Sequence, residues 1–210
     1  LAQSDARRTL SQGFGLSEAS NDFRVLWITN SIAIPKLDRA LLEALRTSKD
    51  IVSINLQRTF HLPDDPEAKL KPWELTAIES SLTQMNVDDV WALGYKGAGI
   101  VVANIDSGVR YSHQSLVNQY RGNQGGSFNH NYNWYDPYNH SATPRNTHDH
   151  GTHTMGTMVG DDGGANQIGA APEATWIACI GFGQSGAGAT DAGLEECGQW
   201  ILAPYPTNGS

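Results

Sequence analysis

The chain has 210 residues, with 22 acidic against 14 basic side chains, a formal net charge of −8 at pH 7 and 39% hydrophobic residues. That balance, with no cluster of Lys and Arg, excludes nucleic acid and anionic membrane as main partners, because binding phosphates requires concentrated positive charge. No apolar run approaches the roughly 20 residues that cross a bilayer, and a start at Leu1 without a basic and apolar leader is expected of a processed or truncated end.

In chain order, Ser4-Asp5 can cap a short helix beginning near Ala6. Residues 23–34 are dense in β-branched and aromatic side chains and predict a strand that Pro35 ends. Pro35 also presets the first turn of a helix, on which Leu37, Leu41, Ala44 and Leu45 recur as one apolar stripe. Residues 51–60 then alternate, with Val52, Ile54 and Leu56 on one face, and predict a second strand. Together these describe a small α+β unit over residues 1–62. Residues 62–72 carry three prolines and five charges, so residues 63–73 read as an exposed linker.

Beyond the linker, Asn86 is expected to cap a helix carrying Val87, Val90, Trp91 and Leu93, which Gly94 stops in the left-handed region. Residues 99–105 are almost continuously apolar, as in a strand buried on both faces of a parallel sheet, and run into Asp106-Ser107-Gly108. Residues 122–146, rich in Asn, Gly, Tyr and His, read as a long loop. Residues 175–180 predict another buried strand, residues 181–188 a Gly-rich loop, and residues 190–202 a helix capped by Thr190. Strands alternating with helices give an α/β class with a partial doubly wound parallel sheet over residues 74–210.

Within this pattern lie residues 147–160, Thr-His-Asp-His-Gly-Thr-His-Thr-Met-Gly-Thr-Met-Val-Gly, with three histidines in six positions. An Asp where a buried strand ends and a His where a helix begins both reach the carboxyl edge of such a sheet, where open α/β folds place their sites. Asp106 and His150 are therefore expected to meet. Near a helix N-terminus an imidazole is disfavoured as a cation and can wait as a neutral base. A carboxylate on its other nitrogen fixes the tautomer and stabilises the imidazolium once formed. These are two members of a nucleophilic triad. His148, His150 and His153 offer a zinc-binding alternative, but no His-Glu-x-x-His is present and no fourth ligand lies nearby in sequence, so no metal is assigned. Cys179 and Cys197 fit either a disulfide or two buried thiols. Asn139 and Asn208 stand in Asn-x-Ser tripeptides, acceptors for glycosylation in a secreted eukaryotic chain.

Val102-Ala103-Asn104-Ile105-Asp106-Ser107-Gly108-Val109 and His150-Gly151-Thr152-His153-Thr154-Met155-Gly156-Thr157 resemble the Asp and His motifs of the subtilisin-like serine peptidases, whose triad runs Asp, His, Ser along the chain. The resemblance implies that Asp106 orients the base, that His150 is the general base and that His153 is structural. The 167–172 segment looks like the family's Gly-x-Ala-Pro turn. Gly186, Ala187 and Gly188 look like the segment whose backbone pairs with an extended polypeptide substrate. Trp200-Ile201-Leu202-Ala203-Pro204 with the two cysteines is similar to the bacillopeptidase F-like branch. Residues 23–60 look like the family's propeptide inhibitor minus a first strand, which implies that His61 to Asp64 lie near the substrate groove until cleavage between Leu62 and Trp73.

The implied activity is secreted endopeptidase chemistry through an acyl-enzyme. Two departures from the family pattern stand out. No Gly-Thr-Ser nucleophile motif occurs in the 210 residues, so residues 74–210 read as the N-terminal half of a catalytic domain whose Ser comes from a continuation or a second chain. Loss of the Ser costs a subtilisin about 10⁶ in kcat, so the isolated chain is expected to be inactive, and an inhibitor or binding module for another peptidase is the alternative. In addition, His113-Gln114-Ser115-Leu116 stands where many members have His-Pro-Asp-Leu with a calcium-binding Asp, and no calcium cofactor is assigned.

Overall fold

The computed structural model describes residues 7–18, 20, 22–63, 78–164, 166–184 and 188–207. The helix expected to begin near Ala6 is described from Arg7 on, its Thr9–Gly13 turn being a π-helix, whereas its Ser4-Asp5 cap, nearly all of the 63–73 linker, and Gly186, Ala187 and Asn208 lie outside these residues. The chain forms two compact units, Leu1–Arg58 and Thr59–Ser210.

In the first unit, the single strand expected over residues 23–34 is a hairpin: β1 (Arg24–Leu26) pairs antiparallel with β2 (Ser31–Ala33), Arg24 opposite Ala33. The reversal sits at Asn30, whose φ of 54° is a left-handed conformation that Asn tolerates and β-branched residues resist. Its amide donates back to the Trp27 carbonyl at 3.3 Å. Helix α1 (Arg39–Arg46) starts after Asp38 rather than at Pro35, because the Asp38 carboxylate accepts the Leu41 amide at 2.7 Å. Leu41 and Leu45 bury against Leu10 and Phe23, whereas Leu37 precedes the helix and is exposed. The strand expected over residues 51–60 is absent from residues 51–58, which leave Val52 and Leu56 exposed. Alternation makes a strand only where the backbone finds a ladder partner. Only β3 (Thr59–His61) does, and it belongs to the second unit.

After β3, the next described elements of the second unit are α2 (Ser80–Gln84) and α3 (Val87–Ala92). Asn86 does not cap α3 with its side chain; it turns the chain at φ 55°. Gly94 ends the segment at φ 88°, in the left-handed region. β4 (Val101–Asp106) follows, then a small antiparallel pair, β5 (Asn123–Gln124) and β6 (Ser127–Phe128), and then β7 (Trp134–Tyr135). Helix α4 (His150–Val159) leads to β8 (Thr175–Ile180), β9 (Gly188–Thr190) and α5 (Asp191–Leu202). The Thr190 hydroxyl accepts the Gly193 amide and caps α5 as its sequence predicts.

β4, β8 and β7 form a parallel sheet with β8 in the middle. Its side chains alternate. Trp176, Ala178 and Ile180 face Met155 and Val159 of α4, whereas Ile177 and Cys179 face Cys197 and Trp200 of α5. A parallel sheet needs both faces covered, and these two helices cover them, so the class is α/β. β4 itself is not buried on both faces. Among the described residues it ends the strand order with only β8 beside it, and Val101 and Ile105 are 44% and 36% exposed. β7 falls inside the stretch read as loop; two residues are too few to show a period.

Of the two states open to the cysteines, the structure has the disulfide Cys179–Cys197, with a sequence separation of 18, tying β8 to α5. Reduction, or replacement of both residues by Ala, is expected to lower stability by about 3 kcal/mol through loop entropy in the unfolded chain, measured as the urea midpoint with and without reductant. On the opposite face, Tyr120 and His130 share a hydrogen bond of 2.9 Å beside Trp176. Burial holds the His130 pKa below its ordinary value, so the unfolded chain takes up that proton first. The contribution of this group to stability is present above about pH 6.5 and lost as pH falls toward the lower folded value. Urea titrations between about pH 7 and about pH 5 are expected to show this slope, and His130→Asn is expected to flatten it.

Candidate active site

The site begins where β4 ends. The Ser107 amide donates to Asp106 Oδ1 at 2.7 Å, and Gly108 takes φ 89°. A Cβ on Gly108 would lie 1.9 Å from the Arg145 carbonyl oxygen, so only glycine lets the chain leave the strand here. Ser107 then clasps the start of α4. Its hydroxyl donates to the His148 carbonyl at 2.6 Å and accepts the Gly151 amide at 2.9 Å. Gly151 permits that closeness, since a Cβ there would sit 2.2 Å from the Gly108 carbonyl oxygen and 3.1 Å from Asp106 Cβ.

The result is that His150 Nδ1 lies 2.8 Å from Asp106 Oδ1 and 3.0 Å from Oδ2. A carboxylate only accepts, so Nδ1 carries the hydrogen and donates, which leaves the Nε2 lone pair free to take a proton. The Asp106 side chain is 11% exposed, whereas the His150 side chain retains 30%, so the pair is anchored at the carboxylate and open at the imidazole. Asn146, Thr147, His148 and Asp149 line an open cleft just before it in the chain. The three histidines do not converge. His148 Nδ1 accepts the His150 amide at 3.3 Å, and His153 is exposed one turn further on. Among the described residues no group of three His, Cys, Asp or Glu is placed to hold a metal.

Of the predicted peptide-pairing segment, Gly188 alone is described. It opens β9, which pairs antiparallel with β3 of the same unit: Thr59 opposite Thr190, Phe60 opposite Ala189, His61 opposite Gly188. Three residues that sequence reasoning missed fix the approach to β9. The Tyr138 hydroxyl donates to the Gly181 carbonyl at 2.7 Å and accepts the Thr190 amide at 3.1 Å, fastening both ends of the 181–190 loop. Asp136, 1% exposed, accepts the Tyr138 and Asn139 amides at 3.0 Å and Arg145 Nε at 2.8 Å. Asp136-Pro137 is a turn signal, but nothing local in sequence shows that the next tyrosine reaches a loop 43 residues away. Tyr138→Phe removes both bonds and is expected to speed amide hydrogen exchange at Thr190 by about tenfold, read by NMR.

Comparison with known proteins places these residues in a family context. Residues 97–196, which include Asp106 and His150, match the subtilase family. Bacillopeptidase F of Bacillus subtilis (strain 168) is 44% identical over 137 residues, covering 63% of this chain and 9% of that protein. The minor extracellular protease Vpr of the same organism is 28% identical over 203 residues, covering 94% of this chain and 25% of Vpr. Human furin is 32% identical over 114 residues, 54% of this chain and 13% of furin. The chain thus spans a quarter or less of each of these three relatives.

Proposed function

The chain belongs to the subtilase family of serine peptidases, and from that premise we propose that Asp106 and His150 are the orienting acid and general base of a serine endopeptidase acting on polypeptides. The carrying observation is the 2.8 Å bond from His150 Nδ1 to a buried Asp106. In this reading, Nε2 takes the proton of a serine hydroxyl as the oxygen attacks the peptide carbonyl. It then returns that proton to the leaving amine, and Asp106 steadies the imidazolium between the two transfers. Water hydrolyses the resulting acyl-enzyme. The serine lies outside these 210 residues, which contain no Gly-Thr-Ser.

We assign peptide binding to the 186–188 segment and its continuation β9, where an extended substrate adds as an antiparallel strand and small residues let the backbones approach. The pairing of β3 on β9 supports this, since a stretch of the same chain uses that edge in the same way. Residues 1–62 are accordingly read as an inhibitor-like propeptide ending on the substrate edge, residues 63–73 as the linker cleaved on maturation, and residues 74–210 as the N-terminal half of the catalytic domain. Secretion is proposed from the disulfide, which suits an oxidising compartment, and from the extracellular relative Vpr. In the full-length protein, with a fluorogenic peptide, Asp106→Asn is expected to lower kcat by about 10⁴ and His150→Ala by about 10⁶, the magnitudes found for the subtilisin triad. A variant of either residue that keeps more than about a tenth of parental kcat overturns the assignment.

A further inference from the structure

Resting on that assignment, we propose that Thr154 is a positioning residue for the Asp106–His150 pair, itself aimed by Asn104. The placement follows from two periodicities. Asn104 and Asp106 are two apart on β4 and face the same side, and His150 and Thr154 are four apart on α4 and do likewise. The helix therefore presents a base and a hydroxyl to a strand that presents a carboxamide and a carboxylate. Thr154 Oγ1 lies 3.0 Å from Asp106 Oδ2 and 3.2 Å from the Gly151 carbonyl oxygen, and Asn104 Nδ2 lies 3.4 Å from Thr154 Oγ1 and 3.3 Å from the same Gly151 oxygen.

A hydroxyl has one hydrogen and here two acceptors. The carboxylate oxygen is nearer and charged, and the Gly151 carbonyl is already served by Asn104 Nδ2, so the hydrogen goes to Asp106. The orientation of Asn104 follows from the same accounting, because exchanging its oxygen and nitrogen would set two carbonyl oxygens against each other. Held this way, Asn104 Oδ1 is buried with no hydrogen-bond partner among the described residues. An orphaned acceptor costs free energy that an apolar side chain on this strand would avoid, and such local departures gather where function demands them.

The consequence lies in the rotation of the carboxylate. Oδ1 is held by the Ser107 amide and His150. Without Thr154, Oδ2 keeps, among the described residues, only the 3.0 Å contact to His150. With it, both oxygens are pinned and Oδ1 stays aimed at Nδ1, which fixes the direction of Nε2. Thr154 acts through Asp106, so its removal lowers kcat and leaves KM alone.

Thr154→Val is near-isosteric and deletes the hydroxyl, and Thr154→Ser keeps it. In the full-length protein, Val is expected to lower kcat about 10- to about 100-fold with KM within about twofold, and Ser to stay within about threefold of the parent. The low-field proton resonance of His150 Nδ1–H is expected to broaden or vanish in Val and persist in Ser. Parental kcat and resonance in Val overturn the proposal. So does an equal loss in Val and Ser accompanied by a lower unfolding temperature, which marks Thr154 as a packing residue. If the full-length parent neither hydrolyses peptides nor labels with a fluorophosphonate, the peptidase assignment fails, and the resonance comparison still decides whether Thr154 orders the pair.

Discussion

The apposition of the end of β4 with the start of α4 is the constraint on which the site depends. A strand terminus and a helix terminus both carry unpaired backbone groups that resist burial, so bringing them together requires each group to be answered. Ser107 does much of this, donating to the His148 carbonyl and accepting the Gly151 amide. Gly108 and Gly151 remove the two Cβ atoms that would otherwise meet backbone at 1.9 and 2.2 Å. The short path from Asp106 to His150 is thus a product of small residues and one bracket hydroxyl, and the proposed chemistry rests on it.

That junction is held steady by a sheet that offers different chemistry on its two faces. On the α4 side, Trp134 and Trp176 are fully buried, and the Trp176 indole nitrogen donates to the Leu116 carbonyl at 2.8 Å, so a large apolar body is placed without leaving its one polar atom unpaired. On the α5 side, the Cys179–Cys197 bond and the stack of Tyr135 on Trp200, centroids 5.6 Å apart, bind helix to sheet. Burial, and then the adjacent Glu196 carboxylate, push the Tyr135 pKa up and keep its hydroxyl a donor to Glu196. Stability and site geometry share residues here: β8 is the centre of both faces and the neighbour of the strand that carries Asp106.

The edge strand β9 follows another logic. Its glycine and alanine bring little side-chain packing, so backbone bonds hold it: the ladder to β3 and the Tyr138 hydroxyl at the Thr190 amide. A buried carboxylate is tolerated only when its lone pairs are answered. Asp136 meets that condition with two amides and the Arg145 guanidinium. The reward is a rigid Tyr138 against the loop that leads to β9.

What the sequence by itself determined is local in origin. The apolar run before Asp106, the His-Gly-Thr-His start of α4, the Thr190 cap and the left-handed Gly94 all express periodicity or backbone preference within a few residues, and each is where the pattern put it. Tertiary structure decided the rest, because the deciding partner lies far along the chain. Residues 51–58 alternate like a strand yet are not one, whereas Thr59–His61 are, because only these meet β9. β7 exists because β8 passes beside it, not because two residues have a strand preference. β4 reads as doubly buried from its composition but, among the described residues, stands at a sheet edge. Asn104 and Thr154 stand inside the two motifs and Tyr138 in neither, yet no motif shows what they bond to; a hydrogen bond depends on distance and direction, and for side chains 43 to 52 residues from their partners only the packed fold supplies them.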